Sequence, residues 1–337
     1  MNILRLMLCA GVFFMMSVSP TCGEDTIKIG AVLSVTGPAS FLGAPEARTI
    51  EMLTDEINTK GGVNGKKLEL IIKDSTGSPE KAISFAKQLI EKEKVFAIIG
   101  PSTSGETMAI KNVAEEGKTI LMSCAAAELI VNPVAKYVFK TPQKDSCAVT
   151  RIFQQMEKMR ISRIGVLTSN TGFGKADKEQ IEKLAPEHGI QILVNEVYDK
   201  AATDLTAEVT KLKASNVQAA GAAAEGVIFP AGRLLVADLL PAKHPQKAVL
   251  ESYKKAYEAK YKEDVSTFGG HAYDAFVILV RAIREAGADK EKARTAIENM
   301  KGLVGIGGVF NFSAEDHNGL DINSFEMLTV KKGKFAV

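Results

Sequence analysis

At residues 98–106 the chain reads Ile98-Ile-Gly-Pro-Ser-Thr-Ser-Gly-Glu106. The apolar run at residues 95–99 indicates a buried strand, and the apolar spacing of residues 107–114 indicates one face of a helix. Thr103 and Glu106 have the spacing of a capping box, which marks the first turn of a helix. The stretch therefore predicts a strand that ends in a Gly-Pro turn and leads directly into a helix.

The same stretch predicts a binding site for a small anion. The N-terminus of a helix carries free N–H groups and partial positive charge, and here it would follow the carboxyl end of a strand. Ser102, Thr103 and Ser104 add three hydroxyl groups. We predict that these residues bind a carboxylate; helix capping alone is the alternative, because capping is the commoner use of serine and threonine.

A nucleotide site is disfavoured at this position. Gly100 and Gly105 match the glycines of a phosphate-binding P-loop, but Glu106 stands where that motif has its lysine. A glutamate there would repel a polyphosphate, so ATP or GTP is not the expected ligand.

Strand-like and helix-like segments alternate along the chain, which predicts an α/β fold with parallel doubly wound sheets. The alternation pauses at residues 137–141 and then restarts, so we expect an interdomain crossing at residues 138–143 and a second α/β unit after it. In such sheets ligands bind beyond the carboxyl ends of the strands. Three predicted loops reach that crevice, at residues 36–43, 100–105 and 124–128.

Composition excludes several classes of function. The 337 residues are 46% hydrophobic and 24% charged with a net charge of +2, which is typical of a soluble protein of two domains. There is no basic patch with interleaved aromatic residues, so nucleic acid is not an expected partner. The sequence shows neither metal-ligand spacing of its histidines nor a nucleophile motif, so we expect no metal, no cofactor and no enzymatic activity.

The first 23 residues have the pattern of a secretory signal peptide. An apolar stretch at residues 6–18 is followed by the small and polar Ser19-Pro-Thr-Cys-Gly23. We expect cleavage near Gly23 and export, with lipid attachment at Cys22 as the less favoured alternative. Cys124 and Cys147 remain after cleavage, and the sequence leaves open whether they form a disulfide.

Six motifs occur in a fixed order along the chain. They are Ile27-Lys-Ile-Gly-Ala-Val-Leu-Ser34, Thr36-Gly-Pro38, Asp55-Glu-Ile-Asn58, Gly61-Gly-Val-Asn-Gly65, Ile98-Ile-Gly-Pro-Ser-Thr-Ser104 and Thr267-Phe-Gly-Gly-His-Ala-Tyr-Asp-Ala275. No single motif is decisive, but the set covers most of the chain after residue 23. The ordered set resembles one protein family, that of the periplasmic leucine/isoleucine/valine-binding proteins.

The resemblance implies a type I periplasmic solute-binding protein of an ABC importer. Such a protein has two Rossmann-like lobes that close on an amino acid or a related small carboxylate, and its partner is a membrane permease. The lobes would comprise residues 24–142 with 231–312 and residues 143–230 with 313–337. A ligand sensor for a membrane receptor and a degenerate copy that binds nothing are the rival readings.

The resemblance also assigns residues to the binding site. It implies that the Ser104 hydroxyl binds the ligand carboxylate and that a loop of three alanines offers backbone groups to the ligand. Aromatic or apolar side chains would form the walls of the cleft. The implied residues beyond residues 102–104 are Ala125, Ala126 and Ala127 in the loop, and Phe41, Leu42 and Phe173 in the walls.

One departure from the family pattern concerns the second lobe. After residues 216–219, relatives run through a strand, a helix and another strand before a segment like residues 222–229. Here the two segments almost abut, so a passage on the order of 30 residues is absent near residues 219–222. In the family that passage supplies the acidic partner of the ligand amine. We therefore expect a shortened second lobe.

Overall fold

The computed structural model describes residues 26–219, 227–332 and 334–337. The strands are β1 (Ile27–Leu33), β2 (Leu68–Asp74), β3 (Ala97–Ile99), β4 (Ile120–Ser123), β5 (Val138–Lys140), β6 (Arg163–Ser169), β7 (Gln191–Tyr198), β8 (Ile228–Ala231), β9 (Leu303–Val304), β10 (Val309–Phe310), β11 (Glu326–Lys331) and β12 (Lys334–Ala336). The helices are α1 (Ser40–Thr59), α2 (Pro79–Lys87), α3 (Ser104–Glu116), α4 (Asp145–Lys158), α5 (Gly172–Leu184), α6 (Thr206–Ala214), α7 (Lys247–Tyr261), α8 (Thr267–Ala286) and α9 (Lys290–Glu298).

A five-stranded parallel sheet forms the centre of the first lobe, in the order β2-β1-β3-β4-β5. Its central strands β3 and β4 are almost continuously apolar and fully buried, because helices cover both faces of the sheet. Ile99 on one face packs with Phe276 of α8, whereas Ile98 on the other face packs with Ile110 of α3. The predicted parallel doubly wound α/β fold is therefore confirmed for this lobe.

The predicted start of α3 is confirmed at atomic detail. Thr103 is the N-cap residue, and its Oγ1 accepts a hydrogen bond from the Glu106 N–H at 3.3 Å. The Thr103 hydroxyl also donates to Glu106 Oε2 at 2.6 Å. The Glu106 side chain therefore contacts the N-cap residue through the Thr103 hydroxyl, which donates a hydrogen bond to the buried carboxylate.

The predicted loop at residues 36–43 is wrong over its second half. Helix α1 begins at Ser40, so Phe41 and Leu42 lie in its first turn. Gly43 is a helical residue rather than a turn former, because a Cβ atom there would lie 2.3 Å from the Ser34 carbonyl group. A glycine in the sequence can indicate either a turn or a close approach of two backbones. Here it permits close packing of α1 against β1.

The second lobe contains two separate sheets within the described residues. Strands β6 and β7 pair in parallel, and Ala219 adds a single bridge to Ile164 at the edge of β6. Strands β8, β11 and β12 form an antiparallel sheet of their own. The predicted omission near residues 219–222 falls mostly on residues 220–226, which lie outside the described residues.

Side-chain hydrogen bonds hold together the segments that are expected to connect the lobes. Gln143 Nε2 donates to the Gly307 carbonyl at 2.8 Å and to the Ser324 carbonyl at 3.3 Å. The buried Asp274 carboxylate accepts from the Ile306 and Gly307 N–H groups, both at 2.6 Å. Burial raises the pKa of Asp274 to about 7, although the two N–H donors lower it. These contacts tie residues 143 and 305–308 together at the junction.

We expect Thr103→Ala to lower the free energy of unfolding by about 1–2 kcal/mol, since it removes the cap of α3 and a donor to a buried carboxylate. Urea unfolding followed by circular dichroism measures the loss. Thr103→Ser is the matched control, because it keeps the hydroxyl and should retain most of the stability. Equal stability of the alanine and serine variants would contradict the role assigned to the cap.

Candidate functional site

Two of the three predicted segments meet at the carboxyl end of the first-lobe sheet. Ser104 opens α3, and its Oγ accepts a hydrogen bond from the Ala127 N–H at 3.3 Å. The exposed fraction is 3% for Ser104 and 1% for Ala127. Ala125 belongs to the same buried cluster as Ala127, so the structure brings the predicted serine and the predicted alanine loop together.

The Ser104 hydroxyl group keeps a free donor. Its oxygen accepts from Ala127, but its hydrogen has no acceptor among the described residues. A hydroxyl can donate once and accept twice, so Ser104 can donate to a ligand without giving up its bond to the loop. Of the three predicted hydroxyls, this is the one available for recognition.

The Ser102 hydroxyl group is instead engaged inside the first lobe. Its oxygen accepts from the Ser34 N–H at 3.0 Å, and it donates in a short hydrogen bond to Glu46 Oε2. Burial raises the pKa of Glu46 well above its usual value. The hydrogen bond from Ser102 lowers that pKa, and the nearby charge of Glu106 raises it further. Burial therefore favours the neutral form of the Glu46 carboxyl group.

The Thr103 hydroxyl group is also committed, because it caps α3 and donates to Glu106. Ser34 Oγ donates to the same Glu106 oxygen at 2.9 Å. Ser34, Ser102 and Thr103 thus form one buried network with Glu46 and Glu106 beneath the strand ends. The structure assigns Ser102 and Thr103 to the support of the site, and their contact with a ligand stays a prediction.

Helix α5 of the second lobe covers this part of the first lobe. A Cβ atom added to Gly172 would lie 2.9 Å from the Gly105 Cα, so α5 meets the first turn of α3. Ala176 of α5 packs in the same cluster as Ala125 and Ala127. The N-termini of two thirteen-residue helices therefore converge beside Ser104. Both carry partial positive charge, which favours an anion between them.

The predicted wall residues occupy different places. Phe41 is 63% exposed, and its ring centroid lies 5.7 Å from that of Phe268 in an edge-to-face arrangement. Leu42 beside it is partly buried. Phe173 is 43% exposed and lies in the first turn of α5. Their contact with a ligand stays a prediction.

Sequence reasoning missed Lys140, the last residue of β5. Its buried ammonium group donates to the Ala126 carbonyl at 2.6 Å and to the Gln143 carbonyl at 3.2 Å. Burial lowers the pKa of Lys140 to about 7, although the charge of Asp145 raises it. The sequence feature that could have indicated this role is a lysine at the end of an apolar strand. Lys140 and Ser104 thus each hold one residue of the alanine loop by a hydrogen bond to its backbone.

The two cysteines retained after residue 23 are free thiols in the structure. Cys124 is buried beside the alanine loop, and burial raises the pKa of its thiol well above the usual range. Within residues 26–219, 227–332 and 334–337 no group of three or more His, Cys, Asp or Glu side chains could hold a metal ion. In the same residues no helix has the length and apolar character needed to cross a membrane.

Known proteins share this fold and match this chain over most of its length. A structure of an extracellular ligand-binding receptor from Rhodopseudomonas palustris HaA2 matches with a TM-score of 0.85 at 25% identity, covering 92% of this chain and 98% of that one. A leucine-, isoleucine-, valine-, threonine- and alanine-binding protein of Pseudomonas aeruginosa is 26% identical over 323 residues, covering 83% of this chain and 84% of the relative.

A second relative matches over a shorter span. The Leu/Ile/Val-binding protein homolog 7 of Brucella abortus is 27% identical over 199 residues, which is 56% of this chain and half of that protein. The profile of the periplasmic binding protein family matches residues 26–231 and 218–334, which together include nearly all described residues. The family consists of solute-binding proteins and not of enzymes. The chain therefore belongs to the periplasmic binding protein family.

Proposed function

We propose that this chain is the exported substrate-binding component of an ABC importer. It binds a branched-chain amino acid or a related small carboxylate by closure of its two lobes, and it then docks on a membrane permease. The single observation that carries this proposal is the free donor of Ser104 between the converging N-termini of α3 and α5. The binding protein of Pseudomonas aeruginosa, named for leucine, isoleucine and valine, supports the ligand class.

The proposal includes export to the periplasm. Residues 1–23 serve as the signal peptide, which is cleaved near Gly23, and the mature protein acts outside the inner membrane. Membership of the periplasmic binding protein family supports this location.

The proposal also includes a shortened second lobe. The first lobe comprises residues 24–142 and 231–312 and the second residues 143–230 and 313–337, although Leu320 still packs in the core of the first lobe. The family profile matches the chain in two segments that overlap at residues 218–231, as an internal omission at that point would produce. The separation of the β6–β7 sheet from the β8–β11–β12 sheet supports the same reading.

A thermal melt of residues 24–337 against a panel of acids tests the ligand class. The panel holds leucine, isoleucine, valine, phenylalanine and amine-free acids of similar size. A ligand present at 100 times its dissociation constant adds about 2.7 kcal/mol of stability, which raises the melting temperature measurably. A shift with an amino acid would support an amino acid as ligand, and a shift with amine-free acids alone would support a carboxylate. A melt that no acid shifts would contradict the proposal.

The Ser104→Ala variant tests the residue that carries the proposal. We expect carboxylate binding to weaken by roughly 1.5–3 kcal/mol, the usual contribution of a hydrogen bond to a charged group. Isothermal titration calorimetry with the ligand found in the melt measures the loss. Ser84→Ala, an exposed serine on α2, is the matched control and should bind as the wild type does. Unchanged affinity in Ser104→Ala would remove Ser104 from the site.

A further inference from the structure

One peptide group of the alanine loop is held at both of its polar ends by side chains from other elements. The buried Lys140 ammonium group donates to the Ala126 carbonyl at 2.6 Å, and the Ala127 N–H donates to Ser104 Oγ at 3.3 Å. That carbonyl and that N–H belong to the same planar peptide unit, whose two bond dipoles are aligned. The Lys140 ammonium group, the peptide unit and the Ser104 hydroxyl group therefore form one continuous line of hydrogen bonds.

This line is short and largely shielded from water. The carbonyl oxygen and the amide nitrogen of a peptide unit are about 2.3 Å apart, so Lys140 Nζ lies no more than about 8 Å from Ser104 Oγ. The exposed fraction is 0% for Lys140 and 3% for Ser104. Charges that are buried in this way are screened much less than charges in water. The charge of Lys140 therefore acts at the hydroxyl group to which the proposed function assigns the ligand carboxylate.

Hydrogen bonds that follow one another in a line strengthen each other. An ammonium donor polarises the Ala126 carbonyl, and the N–H of the same peptide unit then becomes a stronger donor. Ser104 Oγ accepts from that N–H, so its own hydrogen becomes a stronger donor to an anion. Lys140 can thus act on a bound carboxylate through Ser104 without contacting it.

The charge of Lys140 can change near neutral pH. Its two acceptors, the carbonyl groups of Ala126 and Gln143, are neutral, so neither holds the proton as a carboxylate partner would. Burial lowers the pKa of Lys140 to about 7. A neutral amine at this position would still occupy the same space, but it would polarise the Ala126 carbonyl far less.

Charged and titratable groups from several elements face Lys140. The groups that act on its pKa are Asp145, Glu128 and Cys147, which raise it, and Lys144, which lowers it. Burial lowers the pKa of His271 on α8 to about 3, with a smaller contribution from Lys140, so this ring is neutral near pH 7. Burial also raises the pKa of Asp177 on α5, beyond Asp145, to about 6. Measurements above about pH 6.5 therefore avoid most of the titration of His271 and Asp177.

We propose that Lys140 is a positioning residue of the carboxylate site, which polarises the Ser104 donor through the Ala126–Ala127 peptide unit and takes up a proton when an acid binds. This proposal rests on the proposed function, in which Ser104 binds the carboxylate. Before binding, part of the protein carries a neutral amine at residue 140. The negative charge of the bound acid favours the ammonium form, and the additional proton comes from the buffer.

The proposal fixes the sign of the pH dependence. The complex binds more protons than the free protein near neutral pH, so the affinity for an acid falls as the pH rises. A unit charge at a distance on the order of 10 Å in a protein changes a dissociation constant roughly three- to tenfold. The carboxyl group of the ligand stays ionised between about pH 6.5 and 8.5, so it adds nothing to this change.

Isothermal titration calorimetry on residues 24–337 tests the proposal with two pairs of acids. The pairs are leucine with 4-methylpentanoate and phenylalanine with 3-phenylpropanoate, each an amino acid with its amine-free counterpart. We expect the affinity for the acid that binds to fall roughly three- to tenfold between about pH 6.5 and 8.5. At about pH 7.5 the apparent enthalpies in phosphate and in Tris buffer should differ by the amount that uptake of part of a proton requires.

Two substitutions of Lys140 separate its charge from a structural role. Lys140→Arg keeps the positive charge at every pH used, so it should bind as tightly as the wild type does at low pH and show no pH dependence. Lys140→Met has a neutral chain of similar length, and it should bind weakly at every pH. A merely structural role would lower the affinity of both variants and leave the pH dependence in place. Thermal melts without ligand show whether each variant is folded.

Lys111→Met is the matched control. Lys111 on α3 also donates to two carbonyl groups, those of Leu129 and Pro133, and burial lowers its pKa as well. Neither of these carbonyl groups belongs to the peptide unit that binds Ser104. The Lys111→Met variant should therefore keep the pH dependence of the wild type.

A double variant tests the route through Ser104. If Lys140 acts through the Ser104 hydroxyl, the losses of affinity in Lys140→Met and Ser104→Ala should not add. We expect the double variant to bind little more weakly than Ser104→Ala alone at about pH 6.5. Losses that multiply would contradict the route through the peptide unit.

The outcomes distinguish this proposal from the proposed function. An affinity that does not change with pH, equal enthalpies in the two buffers, or a pH dependence that survives in Lys140→Met would overturn the role of Lys140 and leave the proposed function standing. The two wild-type measurements decide this even if the variants do not fold. Failure of the wild type to bind any acid in a Ser104-dependent manner would overturn both.

Discussion

The hydrogen bond from the Ala127 N–H to Ser104 Oγ is the contact on which the candidate site depends. It joins the first residue of α3 to the loop after β4, so the positions of two strand ends fix one hydroxyl group. Because the bond uses a lone pair of the oxygen, the hydroxyl hydrogen stays free to donate. The five-stranded sheet therefore fixes the position of one hydrogen-bond donor, the Ser104 hydroxyl group.

The network below Ser104 keeps that placement rigid. Ser102 and Thr103, its neighbours in sequence, direct their hydroxyls to Glu46 and Glu106 and so anchor the turn between β3 and α3. The low local dielectric strengthens each of these buried hydrogen bonds. One oxygen of each carboxyl group, Glu46 Oε1 and Glu106 Oε1, has no hydrogen-bond partner among the described residues. The three adjacent hydroxyl residues thus have different roles. Two fix the turn, and the third remains available for a ligand.

The second lobe takes part through α5 rather than through a sheet. Gly172 meets Gly105, and Ala176 packs on the alanine loop, so the contact between the lobes is made of small side chains. Small residues allow the two helix N-termini to approach closely, and they leave the converging N–H groups as the main polar feature. Helix α5 reaches the site directly after β6, which places its first turn beside that of α3.

Local patterns in the sequence predicted the parts of the structure that are local. The individual strand and helix segments and the cap at Thr103 depend on neighbours within a few residues, and both were found. The partners of Ser102 are Ser34 and Glu46, which are distant in sequence, and no pattern near Ser102 indicates them. The prediction of a loop at Gly43 was wrong for the same reason, since the contact of Gly43 with Ser34 appears only when α1 packs on β1.

The role of Lys140 was equally hidden, because its acceptor Ala126 lies on another loop. Tertiary contacts therefore decide which residues of the motifs support the site and which are free to bind.

Small-angle X-ray scattering with and without ligand tests closure of the lobes, the central claim, most directly. The account predicts that the profile of the ligand-bound protein agrees with this structure, in which Gly172 contacts Gly105, and that the ligand-free protein has a larger radius of gyration. Identical profiles in both states, with ligand binding verified in the same samples, would contradict closure as the mechanism of binding.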